Sequence, residues 1–113
     1  MGKLTKEDII LLFLEDPDKL ARELWNESVP KSDEMRTLIC ELGSAKCAYW
    51  YARDIDKGPT DETRTVACKT PYEAYCYARF IDKKPTDETR EGAYKNEGWG
   101  RIYKVWENLL KKI

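Results

Sequence analysis

A chain of 113 residues is long enough for one domain that buries about two-thirds of the surface exposed by its unfolded form. Its 20 basic and 21 acidic side chains nearly cancel, so the broad positive field typical of nucleic-acid-binding proteins is absent. There is no histidine, which removes the commonest general base and the commonest metal ligand.

The apolar pattern predicts neither a membrane span nor a signal peptide. The one continuous apolar run, from Ile9 to Leu14, has six residues, far fewer than a membrane helix needs. We therefore expect a cytoplasmic protein. The two ends differ mildly in charge, with eight basic and twelve acidic residues in 1–56 against twelve basic and nine acidic in 57–113.

Helix start signals recur along the chain and predict eight helices. Each signal is a small polar residue at the N-cap, where its side chain can accept a hydrogen bond from an unpaired backbone N–H. In chain order these residues are Thr5, Asp16, Ser32, Ser44, Thr60, Thr70, Thr86 and Asn96. The predicted helices are 6–15, 17–28, 33–42, 45–57, 61–69, 71–83, 87–95 and 97–112.

An internal repeat organises these helices into pairs. Residues 48–64 (AYWYARDIDKGPTDETR) and 74–90 (AYCYARFIDKKPTDETR) are identical at fourteen of seventeen positions, at an offset of 26. Self-similarity at a fixed period of this length is typical of stacked supersecondary units. The sequence predicts an all-α, short solenoid-like single domain of four stacked helical hairpins, at about 5–29, 30–58, 59–84 and 85–113.

The second helices carry an apolar stripe with i, i+3, i+4, i+7 spacing, which predicts a core face. Its residues are Ala48, Tyr51, Ala52 and Ile55, repeated as Ala74, Tyr77, Ala78 and Ile81. The outer units are more apolar, and we expect them to seal the open ends of the array. The apolar residues that end the last unit are Val105, Trp106, Leu109, Leu110 and Ile113. Gly92 lies within a predicted helix, and it indicates either close helix packing or a flexible aromatic contact patch.

The repeat string P-T-D-E-T-R, followed by A-C-K and P-Y-E-A-Y-x-Y-A-R-x-I-D, resembles short helical repeats in uncharacterised bacteriophage and environmental bacterial proteins. The resemblance covers roughly residues 30–95. It implies an α-helical repeat fold and a phage origin, and it assigns no catalytic residue.

The four cysteines Cys40, Cys47, Cys68 and Cys76 have spacings that match no zinc-binding or C-x-x-C redox pattern. Buried free thiols are therefore expected, with disulfides and a four-thiolate metal site left as alternatives. We expect neither a metal nor a cofactor. Asp33, Asp61 and Asp87 each precede an arginine by three residues, which predicts local ion pairs on the first helices.

A second stripe beside the core is the candidate binding site. Its residues occupy equivalent columns of successive units: Tyr49, Arg53, Tyr75, Arg79 and Arg101. Tyrosine and arginine often anchor protein interfaces, and equivalent positions of a stacked array form a ladder on one face. The alternative is that these side chains pack or pair between units.

The functional hypothesis is a non-enzymatic module, a monomer or weak homodimer, that binds another protein. In the phage setting implied by the resemblance, the partner would be a host machine such as a defence complex, with anti-CRISPR activity as one case. The alternative is a nucleic-acid-associated accessory protein or a small enzyme, although nothing in the sequence supplies an activated nucleophile or a phosphate-binding loop.

Overall fold

A computed structural model describes residues 3–112, which form eight helices and no strand. The helices are α1 (Lys6–Glu15), α2 (Pro17–Trp25), α3 (Asp33–Leu42), α4 (Ala45–Trp50), α5 (Asp61–Ala67), α6 (Pro71–Cys76), α7 (Asp87–Tyr94) and α8 (Glu97–Lys111). Helices α4 and α6 continue directly into π-helical segments, Tyr51–Asp56 and Tyr77–Asp82. The predicted all-α fold is confirmed.

The helix starts follow the predicted caps. In α1 the Thr5 hydroxyl accepts from the Asp8 N–H while the Asp8 carboxylate accepts from the Thr5 N–H, which satisfies two otherwise unpaired donors. Thr70 is the exception among the eight, because its hydroxyl bonds the Glu73 carboxylate and makes no cap hydrogen bond. Helix α2 ends three residues before the predicted position, since the chain turns at Glu27 with a φ of 59°.

The four hairpins stack side by side in two layers. The first helices of successive units, α1, α3, α5 and α7, contact one another in one layer, and the second helices, α2, α4, α6 and α8, form the other. The array extends over 47 × 25 × 19 Å. The largest fully buried side chains, Tyr51, Tyr77 and Tyr103, occupy equivalent positions in the second, third and fourth units.

Each of these tyrosines ties its second helix to the start of its first. The Thr60 N–H donates to the Tyr77 hydroxyl at 3.0 Å, and that hydroxyl lies 2.7 Å from the Thr63 Oγ1. Tyr103 makes the same 2.7 Å contact with Thr89. The second unit has Met35 at the threonine position, and there the Tyr51 hydroxyl bonds backbone groups alone.

An ion pair with a largely buried acid closes each of the same hairpins. The Arg64 Nε and Nη2 donate to the Asp82 carboxylate at 2.9 and 2.6 Å. Arg36 binds Asp56, and Arg90 binds Glu107, in the same two-pronged way. The predicted i, i+3 pairs with Asp33, Asp61 and Asp87 also form, but those aspartates are almost fully exposed, so the cross-hairpin partner carries more of the interaction.

The π-helical segments set the register of this ion pair. In the second and third units the acid follows the buried tyrosine by five residues, as in Tyr77 and Asp82. In the fourth unit α8 is a regular α-helix, and Glu107 follows Tyr103 by four. A π-helix takes more residues per turn than an α-helix, so the inserted residue brings Asp56 and Asp82 to the position that Glu107 reaches without it.

The junctions between units differ in spacing. Cys40, Ala48 and Val66 pack together where the third unit meets the second. At the next junction the equivalent position is Gly92, where an added Cβ would lie 2.7 Å from the Cys68 carbonyl oxygen and 2.8 Å from the Ala74 Cβ. The close packing predicted for Gly92 is confirmed, and no larger residue fits unless the helices separate.

The ends of the array are not sealed, contrary to the sequence expectation. Helix α1 buries Ile9 but leaves Leu11 and Leu14 exposed. Helix α8 buries Tyr103 but leaves Val105 and Leu109 more than half exposed, and Ile113 lies outside the described residues. Each terminal helix has a neighbour on one side of the array alone, so the apolar residues that this neighbour does not cover face solvent.

Candidate interaction surface

The second helices present a strip of aromatic, arginine and apolar side chains, which we call the second-helix face. It begins on α2, crosses α4 and α6 with their π segments, and ends on α8. Its members are Trp25, Trp50, Arg53, Tyr72, Arg79, Phe80, Arg101, Ile102, Val105 and Leu109, all exposed or partly exposed. Exposed aromatic and arginine side chains grouped in this way are typical of protein interfaces.

On the N-terminal half of this face, Arg53 is held among three aromatic rings. Its guanidinium carbon lies 4.3 Å from the Trp50 ring centre, 5.2 Å from Trp25 and 5.6 Å from Tyr49. The Arg53 Nε also donates to the adjacent Asp54 carboxylate at 3.0 Å. Stacking and the ion pair together satisfy this cation within its own chain.

On the C-terminal half, the equivalent Arg79 is held differently. Its guanidinium carbon lies 5.3 Å from the Phe80 ring centre and 5.9 Å from that of Tyr75, and its Nη1 donates to the Tyr75 hydroxyl at 2.6 Å. Within residues 3–112 no carboxylate lies at ion-pair distance from Arg79, since Phe80 stands at the position that Asp54 occupies beside Arg53. The Arg79 charge is therefore exposed and open to an external carboxylate.

Beside Arg79 lies a groove of about 340 Å³ between α8 and the second helix of the third unit. It is lined by Tyr75, Arg79, Arg101, Ile102, Val105, Trp106 and Leu109. The lining is apolar except for two arginines and a tyrosine hydroxyl. Arg101 pairs with Glu97 at 3.2 Å, but both side chains are largely exposed, and such pairs exchange readily.

The structure divides the five predicted site residues between these two places. Tyr75, Arg79 and Arg101 meet at the groove, whereas Tyr49 and Arg53 belong to the first aromatic cluster. The two tyrosines are 6% and 7% exposed, so their rings serve as packed supports and the arginines form the accessible part of the ladder. Burial also raises the pKa of Tyr49.

Sequence reasoning missed the most exposed aromatic members of the face. Trp25, Tyr72 and Phe80 are 60%, 50% and 51% exposed. They were missed because the candidate site was predicted from residues that recur in successive units, whereas Phe80 differs from its counterpart Asp54. A search for apolar residues where the repeats differ would have found Phe80.

The four cysteines are buried free thiols, as expected. Burial raises the pKa of Cys40 to about 12 and that of Cys68 to about 12, so these thiols stay protonated near neutral pH. Among the described residues, no group of three or more His, Cys, Asp or Glu side chains is arranged to hold a metal ion.

The chain matches no known protein family, and no curated protein or solved structure matches it. None of the helices within residues 3–112 combines the length and apolar character required to cross a bilayer.

Proposed function

We propose that this protein is a non-enzymatic module that binds another protein through the C-terminal half of its second-helix face. The observation that carries the proposal is that Arg79 lies beside an open apolar groove. Its charge has no carboxylate partner among the described residues. Arginine beside aromatic rings is the combination most often found at the energetic centre of protein interfaces.

The lining indicates the chemistry of the partner. Ile102, Val105 and Leu109 follow i, i+3, i+7 spacing and are 43%, 54% and 55% exposed, so α8 offers an apolar ridge along the groove. An amphipathic helix laid beside that ridge would bury it, a common recognition mode. A carboxylate on the same helix would pair with Arg79 or Arg101 in a two-pronged geometry.

The resemblance to phage repeat proteins extends the proposal to the identity of the partner. In that setting the bound protein belongs to a host complex, such as a defence system, and occupation of its surface inhibits it.

The test compares capture by variants that differ in position and share their chemistry. Wild-type protein, Val105→Asp and Leu11→Asp are immobilised and exposed to nuclease-treated host lysate. We expect a host protein retained by the wild type and by Leu11→Asp, whose substitution lies at the far end, but lost from Val105→Asp. Arg79→Ala should weaken the same capture.

Val105 and Leu11 are both more than half exposed, so both variants should fold, which circular dichroism checks. An identical set of proteins on all three surfaces would contradict the proposal. Capture from untreated lysate that is absent from nuclease-treated lysate would favour the nucleic-acid alternative.

A further inference from the structure

The two terminal helices carry apolar faces that are exposed to solvent. On α1 the face comprises Glu7, Ile10, Leu11 and Leu14, which share one side of the helix by their i, i+3, i+4, i+7 spacing. The three apolar members are 37%, 65% and 73% exposed. The α8 face comprises Arg101, Ile102, Val105, Leu109 and Lys112. Terminal units of repeat arrays ordinarily expose polar surface, whereas these two faces are largely apolar.

The charges around the two faces are opposite. Asp8 and Glu15 border the α1 face one turn before and after Leu11, in addition to Glu7 within it. Arg101 and Lys112 lie within the α8 face, and Arg79 stands across the groove from it. The pairs already made by Glu15 with Lys19 and by Arg101 with Glu97 join exposed side chains, so they oppose a new contact only weakly.

We propose that copies of this chain associate head to tail, with the α1 face of one copy on the α8 face of the next. A contact of α1 with α1 would bring acidic borders together, and a contact of α8 with α8 would bring basic ones together, whereas the mixed contact pairs opposite charges. The mixed contact is heterologous, so every added copy leaves one face open at each end of the assembly.

The size of the two faces sets the strength of this association. Helix α1 is about 15 Å long and α8 about 22 Å, at 1.5 Å per residue. One helix face against another buries far less than the roughly 1,600 Å² of a standard stable interface. The association is therefore weak, rises with protein concentration and falls with salt, because charge pairing contributes to it. It goes beyond the proposed function, although both use Val105 and Leu109.

Two blocked variants test the head-to-tail geometry in sedimentation velocity. Leu11→Asp blocks the head and Val105→Asp blocks the tail. Each alone should remain a monomer of 13.2 kDa, because every copy carries the same blocked face and no intact head can meet an intact tail. Mixed in equal amounts they should form a one-to-one dimer, in which the intact head of one variant meets the intact tail of the other.

Tyr72→Asp is the matched control, since it introduces the same charge at an exposed aromatic residue in the middle of the array, outside both faces and the groove, and should associate like the wild type. Glu7→Lys and Arg101→Glu should each weaken association, and mixing proteins that carry one of each should restore it in part. A wild type that stays monomeric at the highest soluble concentration overturns the proposal. So does a mixture without the one-to-one dimer, or a single blocked variant that dimerises by itself.

The same variants separate this inference from the proposed function. Leu11→Asp removes self-association and leaves the groove intact, so it should still capture the partner protein. A wild type that captures the partner protein but never self-associates would refute the inference alone, and a wild type that self-associates but captures no partner would refute the proposed function alone.

Discussion

Segments 48–64 and 74–90 build the same interior and different surfaces. The identical residues make the internal contacts: Tyr51 and Tyr77 hold the starts of their first helices, and Asp56 and Asp82 accept two-pronged bonds from an arginine. Three positions differ, and one of them decides whether the repeated arginine has a carboxylate beside it. Arg53 lies beside Asp54, whereas Arg79 lies beside Phe80. Duplication of a unit thus preserves the contacts that specify its fold, and a change at one exposed position is enough to create a distinct surface.

The largest expected effect breaks the shared interior. Asp82→Ala removes a carboxylate whose side chain is 1% exposed and leaves Arg64, 16% exposed, without its main partner. The free energy of unfolding should fall by about 3–5 kcal/mol, as measured by urea denaturation. Asp61→Ala is the control, because Asp61 binds the same arginine but is 99% exposed, and its loss should cost about 0–1 kcal/mol. Equal effects of the two variants would contradict the cross-hairpin pair as the dominant contact.

The tyrosine hydroxyls should give the next largest effect. Tyr77→Phe removes the acceptor of the Thr60 N–H and the partner of Thr63, at a cost of about 1–2 kcal/mol. Tyr51→Phe removes equivalent bonds to Ser32 and Pro30 and should cost a similar amount in the same urea titration. Tyr94→Phe, at a residue 46% exposed, should change stability by no more than about 0.5 kcal/mol. A large difference between Tyr51→Phe and Tyr77→Phe would mean that the two interiors are not equivalent.

High pH should weaken both interiors together. Cys40 and Cys68 have an ordinary pKa of 9.0 and a folded pKa of about 12 each. Between these values the unfolded chain loses thiol protons that the folded chain retains, so stability is full below pH 9 and falls as the pH rises toward 12. Urea titrations at pH 7 and pH 10.5 measure this fall, and replacing both cysteines with Ala should make it shallower. A fall of equal steepness in that variant would exclude the thiols as its cause.

The smallest stability effect should come from the surface difference itself. Phe80→Asp gives Arg79 the acidic neighbour that Arg53 has, and at a half-exposed residue stability should change by no more than about 0.5 kcal/mol. Binding of an acidic partner should nevertheless weaken about tenfold, or about 1.4 kcal/mol, because Arg79 then has a carboxylate within its own chain. Titration calorimetry with the captured partner measures this effect. Unchanged affinity in a folded variant would remove Arg79 from the binding surface.

The helices were predictable because their signals are local. A cap residue such as Thr60 bonds the backbone three residues away, so its role depends on a few neighbours, and the repeat then fixes how many units there are. The π segments were not predictable from a 3.6-residue period. A strict offset of 26 from Asp82 leads to Asn108, yet the structure uses Glu107, since α8 lacks the extra π-helical residue.

The candidate site was only partly predictable, since exposure depends on packing between units. Tyr75 and Arg79 share one stripe in sequence, but neighbouring aromatic rings cover Tyr75: Trp99, Tyr103 and Trp106 lie 5.7, 6.4 and 6.1 Å from it between ring centres. Those rings come from α8, one unit away, so the sequence pattern of the third unit does not predict that they cover Tyr75. The arginine columns were found because they repeat, whereas Phe80 and Trp25 do not.

The third hairpin could be duplicated within this chain, because its valine and Gly92 after it each fit against a cysteine and an alanine of the preceding unit. A second copy of residues 59–84 inserted directly after the first would bring its valine against Cys68 and Ala74, the same residue types that Val66 meets in Cys40 and Ala48. The final junction would keep Gly92 against the copied cysteine and alanine. The small residues at both new junctions would then meet the residue types that they meet in the present chain, so we expect that the protein can grow by whole hairpins and gain one further arginine column with each.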